Sequence, residues 1–176
     1  MPDDYSKERG QPASSVCRQP QGPFWLVFDG TQLRMQRGSN VIQRWEARSG
    51  GKVRKGSFDY SVENQKRRNI GPIPAGEYWI DPGELASQPG RYEFWRGEWP
   101  VEGWGKHRIT IHPRPSTNTH GRGGMFIHGG AAWGSAGCID LTWGIDSFAH
   151  AIGRLSDCHI PLTVRYHVEL VTEPAP

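Results

Sequence analysis

Two residues with the chemistry of acyl transfer, His128 and Cys138, lie close together in a glycine-rich part of the chain. A thiol attacks a carbonyl as its thiolate, and a neighbouring imidazole is the usual base that removes the proton. Each residue adjoins a short apolar run. Cys138 is therefore expected to be a nucleophile and His128 its base. The alternative for Cys138 is simple packing, since free cysteines are among the most buried residues.

The turn before the cysteine reads Ser135-Ala136-Gly137-Cys138. A tight turn would aim the backbone N–H groups of Ala136, Gly137 and Cys138 at one point, where they stabilise the oxyanion formed by attack on a carbonyl. Ser135 is expected to support this turn by local hydrogen bonding, with an ordinary turn residue as an equal alternative. Gly129 lets the backbone turn sharply beside the histidine.

A mainly β scaffold with one or two short helices is predicted to position these residues. Alternating apolar residues indicate a meander over residues 24–47, with a hairpin signal at Asp29-Gly30. Residues 52–69 are expected to form a polar loop. Apolar spacing predicts a helix over residues 145–155 and a long final strand over residues 162–170. Further short strands are predicted at residues 77–80, 91–95, 108–112 and 125–128.

Composition indicates one folded domain and excludes several classes of protein. The chain has 176 residues, of which 35% are hydrophobic and 22% charged, with a net charge of +3. Residues 1–23 are polar and are predicted to be a flexible arm, and residues 24–172 to be the catalytic domain. No basic block is long enough to indicate nucleic-acid binding, and no apolar run is long enough to span a bilayer. Three cysteines do not indicate a disulfide framework.

The order of the two residues, histidine first, differs from that of papain-like cysteine hydrolases. It resembles the YkuD-type L,D-transpeptidases, whose signature is His-Gly, a variable loop and then Ser/Thr-x-Gly-Cys. His128-Gly129 and residues 135–138 match this signature, and the Gly-Pro-Ile-Pro segment over residues 71–78 is similar to the turn and strand that precede the site in that family. The resemblance implies a YkuD-like β-sandwich or partly closed barrel.

Three departures from the usual pattern indicate a particular branch of these enzymes. The loop between His128 and Cys138 is short, Ala136 stands where a histidine is common, and Asp140 stands where an arginine is usual. In its short loop, its Gly-Pro-Ile-Pro turn and the missing secretory signal in the N-terminal residues, the chain is similar to the antibacterial L,D-transpeptidase effectors delivered by type VI secretion. It is therefore expected to be made in the cytoplasm, secreted, and active in the periplasm of a target bacterium.

That resemblance implies an activity, a substrate and partners. The activity is L,D-carboxypeptidase cleavage of tetrapeptide stems of peptidoglycan, exchange of the terminal D-alanine for another D-amino acid, or both. The acyl group would be carried as a thioester, without a cofactor or a metal ion. A cognate immunity protein and a carrier belonging to the secretion system are the implied protein partners.

Several residues outside the signature are candidates for substrate binding or for orienting the base. Arg122 is predicted to hold a carboxylate with its two-pronged guanidinium, and Trp133 to form a wall of the cleft. A backbone carbonyl is one candidate for orienting His128, and His112 or His120 is the other. Surface charge for Arg122 and packing for Trp133 are the plain alternatives.

Three other readings of the chain remain open at this stage. A housekeeping cell-wall L,D-transpeptidase fits the motif, but the missing export signal argues against it, since its substrate lies outside the cytoplasm. A metal-binding module would use His112, His120, His128 and Cys138, although their spacing matches no ordinary zinc pattern. A non-catalytic wall-binding module would use some of the eight tryptophans.

Overall fold

The computed structural model describes residues 24–53, 56–87, 105–155 and 159–174. The predicted arm at residues 1–23 and the predicted strand at residues 91–95 lie outside these residues. The described part of the chain contains the strands β1 (Phe24–Phe28), β2 (Gln32–Arg37), β3 (Asn40–Glu46), β4 (Arg48–Gly50), β5 (Phe58–Asp59), β6 (Gly76–Ile80), β7 (Ala86–Ser87), β8 (His107–Thr110), β9 (His112–Pro113), β10 (Phe126–His128), β11 (Ser135–Asp140), β12 (Ile160–Val164) and β13 (Leu170–Val171), and the α-helices α1 (Val62–Gln65) and α2 (Ile145–Ile152).

The larger sheet has six strands in the order β3-β2-β1-β12-β6-β9. Its first three strands form the predicted antiparallel meander, in which Asp29 accepts hydrogen bonds from the backbone N–H groups of Thr31 and Gln32 and so fixes the first turn. β12 then pairs in parallel with β1 and antiparallel with β6. This sheet supplies one wall of the core.

The second sheet carries the sequence motif and has five strands in the order β4-β11-β10-β8-β7. β10 pairs in parallel with β11, whereas the other pairings in this sheet are antiparallel. A two-stranded sheet joins β13 to β5. β10, which ends at His128, and β11, which contains Cys138, are therefore direct neighbours in the sheet.

The hydrophobic core takes side chains from both large sheets and from α2. Leu26 and Leu162 of the first sheet and Ile127 and Ile139 of the second are fully buried. Along β1 and β12 fully buried and partly buried residues alternate, because successive side chains point to opposite faces of a sheet. α2 buries its apolar face at spacings of three and four residues, as the sequence predicts. These residues of α2 are Ile145, Phe148, Ala149 and Ile152.

Three local predictions are corrected by the structure. The final strand ends at Val164, and the residues beyond it make other contacts: Tyr166 stacks on Tyr60 with ring centroids 4.4 Å apart, and Leu170 and Val171 pair with β5. The predicted polar loop at residues 52–69 contains β5 and α1, with Ser61 capping the helix. Residues 135–137 belong to β11 rather than to a free turn, and a register shift between Ser135 and Ile139 accommodates the glycine there.

The fold class predicted from the sequence is confirmed: the protein is mainly β with two α-helices in its described part. The sheets are mixed, and within the described residues they do not close into a barrel. None of the helices in that part of the chain has the length and apolar character needed to cross a membrane.

Candidate active site

The parallel pairing of β10 and β11 brings the histidine and the cysteine to one face of the second sheet. The register places Ile127 beside Ile139 and His128 beside Asp140. Because side chains alternate between the faces of a strand, the two isoleucines point into the core while His128, Cys138 and Asp140 share the opposite face. His128 and Cys138 are thus diagonal neighbours on adjacent strands.

The imidazole of His128 is oriented by the backbone. Its Nδ1 lies 2.5 Å from the carbonyl oxygen of Gly129, and since a carbonyl only accepts, Nδ1 carries the proton and Nε2 holds the lone pair. Burial lowers the pKa of His128 to about 4; the bond to Gly129 opposes this shift and the charge of Arg108 adds to it. The imidazole is therefore neutral at pH 7 and able to accept a proton at Nε2.

The thiol of Cys138 is buried, with 2% of the residue exposed. Burial raises its pKa to about 11, while hydrogen bonds from the backbone of Phe126 and the side chain of Ser135 and the charge of Arg122 act in the opposite direction. Both groups are thus neutral at pH 7, and attack by Cys138 as a thiolate would require a base to remove the thiol proton. The predicted support of the turn by Ser135 stays a prediction.

Gly129 allows the chain after Asp140 to pack directly against the histidine. A Cβ at this position would collide with the side chain of Ile145 and would lie 2.6 Å from the carbonyl oxygen of Thr142. Close backbone approach, rather than an unusual φ, is therefore the reason for glycine beside His128.

Asp140 lies beside the pair and is almost completely buried, with 1% exposed. Its Oδ2 accepts from the N–H of Gly134 at 3.0 Å and its Oδ1 from the N–H of Thr142 at 2.8 Å. Burial raises the pKa of Asp140 to about 7; the two N–H donors and the charge of Lys52 limit the shift.

The part of β11 that precedes the cysteine is fixed to the proline-rich segment. The N–H of Gly137 donates to the carbonyl of Gly71 at 2.9 Å. This corrects the expectation that the Gly137 N–H points toward an oxyanion, because that donor is already used. Contributions of the Ala136 and Cys138 N–H groups to an oxyanion site stay predictions.

A family model described as the Tlde1 domain matches residues 43–160, which is more than half of the chain and includes all of the site described above. The chain belongs to the Tlde1 domain family. This family of type VI effectors is L,D-transpeptidase-like, which confirms the resemblance indicated by the sequence. No curated protein matches the chain in a sequence comparison.

Solved structures similar to this Tlde1 domain include Bd1075 of Bdellovibrio bacteriovorus, at 18% identity and a TM-score of 0.50, covering 85% of this chain and 50% of that one. L,D-transpeptidase 1 of Mycobacterium tuberculosis is 16% identical with a TM-score of 0.43, and the match covers 81% of this chain and 62% of that one. An L,D-transpeptidase of Mycobacterium smegmatis is 17% identical with a TM-score of 0.41, and the match covers 81% of this chain and 58% of that one. The chain thus spans between half and two thirds of the length of these proteins.

Arg122 of this Tlde1 domain is buried beneath the site. Its Nη1 donates to the carbonyls of Gln65 and Pro72 at 2.5 and 2.6 Å, and its Nη2 donates to the carbonyl of Gly71 at 2.7 Å. Two-pronged binding of a substrate carboxylate would require Arg122 to give up bonds of this set. Its predicted role in substrate binding finds no support in these contacts and stays a prediction.

The two other histidines proposed to orient the base make different contacts. His112 has its Nε2 2.5 Å from Glu84 and stacks on Trp79 with centroids 4.1 Å apart. His120 adopts a φ of 54°, and its backbone N–H donates to Asn118. Of the alternatives considered, the backbone carbonyl of Gly129 is the one that bonds to His128.

Trp133 and Arg108 border the motif. The ring of Trp133, in the loop between the two strands, lies 5.8 Å from the guanidinium carbon of Arg48, and its predicted place in the cleft wall stays a prediction. Arg108 is the register partner of His128 on β8 and lies over the ring of Phe126. Arg108 thus contributes positive charge to the surroundings of the base.

The described residues provide no metal centre of the kind considered from the sequence. No group of three or more histidine, cysteine, aspartate or glutamate side chains is gathered there so as to hold a metal ion. The side chains of His112 and His128 make the separate contacts given above.

Sequence reasoning missed the structural contacts of Asp140 and Gly71. The sequence marks Asp140 as a departure from an arginine, and its spacing of two from Cys138 places both residues on one face of a strand. Gly71 has no such signal, because its contacts with Gly137 and Arg122 join segments more than 50 residues apart.

Proposed function

We propose that this Tlde1 domain is a cysteine-dependent enzyme that modifies the stem peptides of peptidoglycan. It would cleave tetrapeptide stems as an L,D-carboxypeptidase, or exchange their terminal D-alanine for another D-amino acid as an L,D-transpeptidase. The observation that carries the proposal is the placement of Cys138 and a carbonyl-oriented, neutral His128 on one face of two neighbouring strands, in a chain of this family.

The first half of the proposed reaction forms a thioester. Nε2 of His128 takes the thiol proton as the sulfur of Cys138 attacks the carbonyl carbon before the terminal D-alanine. The carbonyl electron pair moves onto oxygen and gives a tetrahedral oxyanion. When this collapses, the C–N bond breaks, His128 returns the proton to the departing amine, and D-alanine leaves.

The second half resolves the thioester. Water, or the amine of a D-amino acid, attacks the thioester carbonyl while His128 accepts one of its protons. The C–S bond breaks and the proton passes to the leaving sulfur, so that the thiol is restored. Water gives a tripeptide stem, and a D-amino acid gives an exchanged tetrapeptide.

The biological setting belongs to the same proposal. Membership of the Tlde1 family supports delivery by type VI secretion and action in the periplasm of a target bacterium as an antibacterial toxin. A producing cell would then need a cognate immunity protein, and a component of the secretion system would carry the enzyme.

Digestion of purified peptidoglycan tests the activity. We expect wild type, under reducing conditions, to convert tetrapeptide stems to tripeptides, or to exchange the last residue when a D-amino acid is added. Cys138→Ala and His128→Gln are expected to abolish this conversion. The matched controls are Cys17→Ser, Cys158→Ser and His150→Gln, the last at an exposed histidine of α2, and they should retain it.

Two results would contradict the proposal. One is an unchanged muropeptide profile with folded wild type. The other is conversion that persists in Cys138→Ala. Toxicity that survives Cys138→Ala after delivery to the periplasm would instead favour a non-catalytic wall-binding module.

A further inference from the structure

Asp140 is a buried acid that the proposed reaction does not use. Its two carboxylate oxygens each accept a backbone N–H, one from Gly134 and one from Thr142. A nearly inaccessible carboxylate carries a considerable desolvation cost, which two N–H donors only partly offset. The two donors lie on different segments of backbone, and the carboxylate joins these two segments.

Both donors belong to backbone next to the reacting pair. Gly134, with a φ of 118°, begins the segment that leads through Ser135 to Cys138. Thr142, with a φ of 43°, holds a conformation that side-chain-bearing residues adopt at a cost, and its carbonyl packs against Gly129 behind His128. One carboxylate thus links the segment before the nucleophile to the segment behind the base.

We propose that Asp140 is a positioning residue whose ionised carboxylate holds the Cys138 segment and the backbone behind His128 in the geometry needed for proton transfer. This inference rests on the proposed function, because it assigns a role in that same reaction. Asp140 itself touches neither the substrate nor the transferred proton.

The ionised form is needed because both carboxylate oxygens act as acceptors. A protonated carboxyl carries its proton on one oxygen, and that oxygen accepts more weakly than a carboxylate oxygen, so that one of the two hydrogen bonds is weakened. Asparagine loses that hydrogen bond at every pH, because its amide nitrogen donates and does not accept.

The charged and titratable groups around Asp140 come from three strands and a loop. His128 of β10 and Arg48 of β4 are its register partners, and Cys138 lies on its own strand. Arg48 donates to the carbonyls of Thr31, Ala47 and Thr172, and Lys52 supplies the charge that favours the ionised carboxylate. With burial raising its pKa to about 7, Asp140 titrates close to neutrality.

The pH profile of Asp140→Asn separates positioning from mere structural support. For wild type we expect kcat for D-alanine release to fall as the pH drops through about 7. The variant should lack this limb and show a kcat about tenfold below wild type at pH 8, with the two rates converging at pH 5–6. The control is Asp146→Asn, at an exposed aspartate of α2, which should keep the wild-type profile.

A measurement on the wild type keeps the inference testable if Asp140→Asn does not fold. The backbone amide resonances of Gly134 and Thr142 should titrate together with the Asp140 carboxyl carbon, with a midpoint near 7. Amide shifts that stay flat between pH 5 and 9 would overturn the inference, as would an Asp140→Asn enzyme with wild-type kcat and an unchanged acid limb. A wild type that releases no D-alanine at any pH would refute the proposed function, a different outcome from either of these.

Discussion

The N–H of Gly137 donates to the carbonyl of Gly71 over 2.9 Å, and Nη2 of Arg122 donates to that same carbonyl oxygen over 2.7 Å. The residue before the proposed nucleophile is thereby fixed to the Gly-Pro-Ile-Pro segment over residues 71–78. Space there is tight, because a Cβ at Gly71 would collide with the carbonyl of Asn64. The support of Cys138 is therefore built from backbone groups gathered around one buried arginine.

Arg122→Lys should destabilise the fold strongly. A single ammonium does not reproduce the planar guanidinium, so buried carbonyls would lose donors at about 1–3 kcal/mol each. We expect the free energy of unfolding in urea to fall by roughly 2–4 kcal/mol. The control is Arg68→Lys, at an exposed arginine whose bond to Gly121 is 3.4 Å long, with a change of about 0.5 kcal/mol or less. An equal effect in both variants would argue against the network.

Gly129→Ala should impair both stability and activity, because the added Cβ would meet Ile145 and the carbonyl of Thr142. We expect a loss of roughly 1–3 kcal/mol in unfolding free energy from overpacking, with reduced release of D-alanine. Gly38→Ala is the control, since its φ of 59° carries a backbone cost while nothing lies within 4 Å of the new Cβ. D-alanine release that is unaffected in Gly129→Ala would contradict the close packing behind His128.

Alkylation of Cys138 should report a neutral thiol rather than a preformed ion pair. With its pKa raised to about 11, the thiolate fraction at neutral pH is small. The rate of modification by iodoacetamide, followed by peptide mapping to separate Cys138 from Cys17 and Cys158, should keep rising from pH 6 to 9.5. A plateau already reached near pH 7 would show a thiolate–imidazolium pair instead.

His128 and Asp140 should give opposite slopes of stability with pH. The folded pKa of His128 is lowered to about 4, so its stabilisation is present above about 6.5 and is lost as the pH falls toward 4. The folded pKa of Asp140 is raised to about 7, so its stabilisation is present below about 3.8 and is lost as the pH rises through 7. At about 1.4 kcal/mol per pKa unit, the two contributions are of similar size, about 3–4 kcal/mol.

Urea unfolding between pH 4 and 7 checks this compensation. Wild type should show little net slope from these two groups. His128→Gln should lose stability as the pH rises, and Asp140→Asn should gain it. Parallel curves for wild type and both variants would contradict the assigned directions.

The parts of the fold that local chemistry determines were predictable from the sequence. The meander follows from the Asp29-Gly30 turn and alternating apolar residues, and α2 follows from its apolar spacing. The proposed pair of His128 and Cys138 was predictable as a hypothesis because both residues and their glycines lie in one short segment. Its parallel strand register, which places them on one face, needed the structure.

The remaining features depend on contacts between distant parts of the chain. The sequence offers Arg122 as a carboxylate ligand or as a surface charge, and neither predicts its bonds to the carbonyls of Gln65, Gly71 and Pro72. The alternation in the sequence continues past Val164, but in the structure the strand ends there and Leu170 and Val171 pair with β5. Alternation cannot reveal this change of partner, because Tyr166 and Leu170 satisfy the pattern equally well as residues of one strand.

Intact mass spectrometry of the trapped acyl-enzyme tests the central claim most directly. Wild type mixed with a tetrapeptide stem and quenched in acid should gain the mass of the stem without its terminal D-alanine, located by peptide mapping to Cys138. Cys138→Ala should gain nothing and release no D-alanine. Release of D-alanine by wild type with no adduct at Cys138, and equal release by Cys138→Ala, would contradict the assignment of Cys138 as the nucleophile.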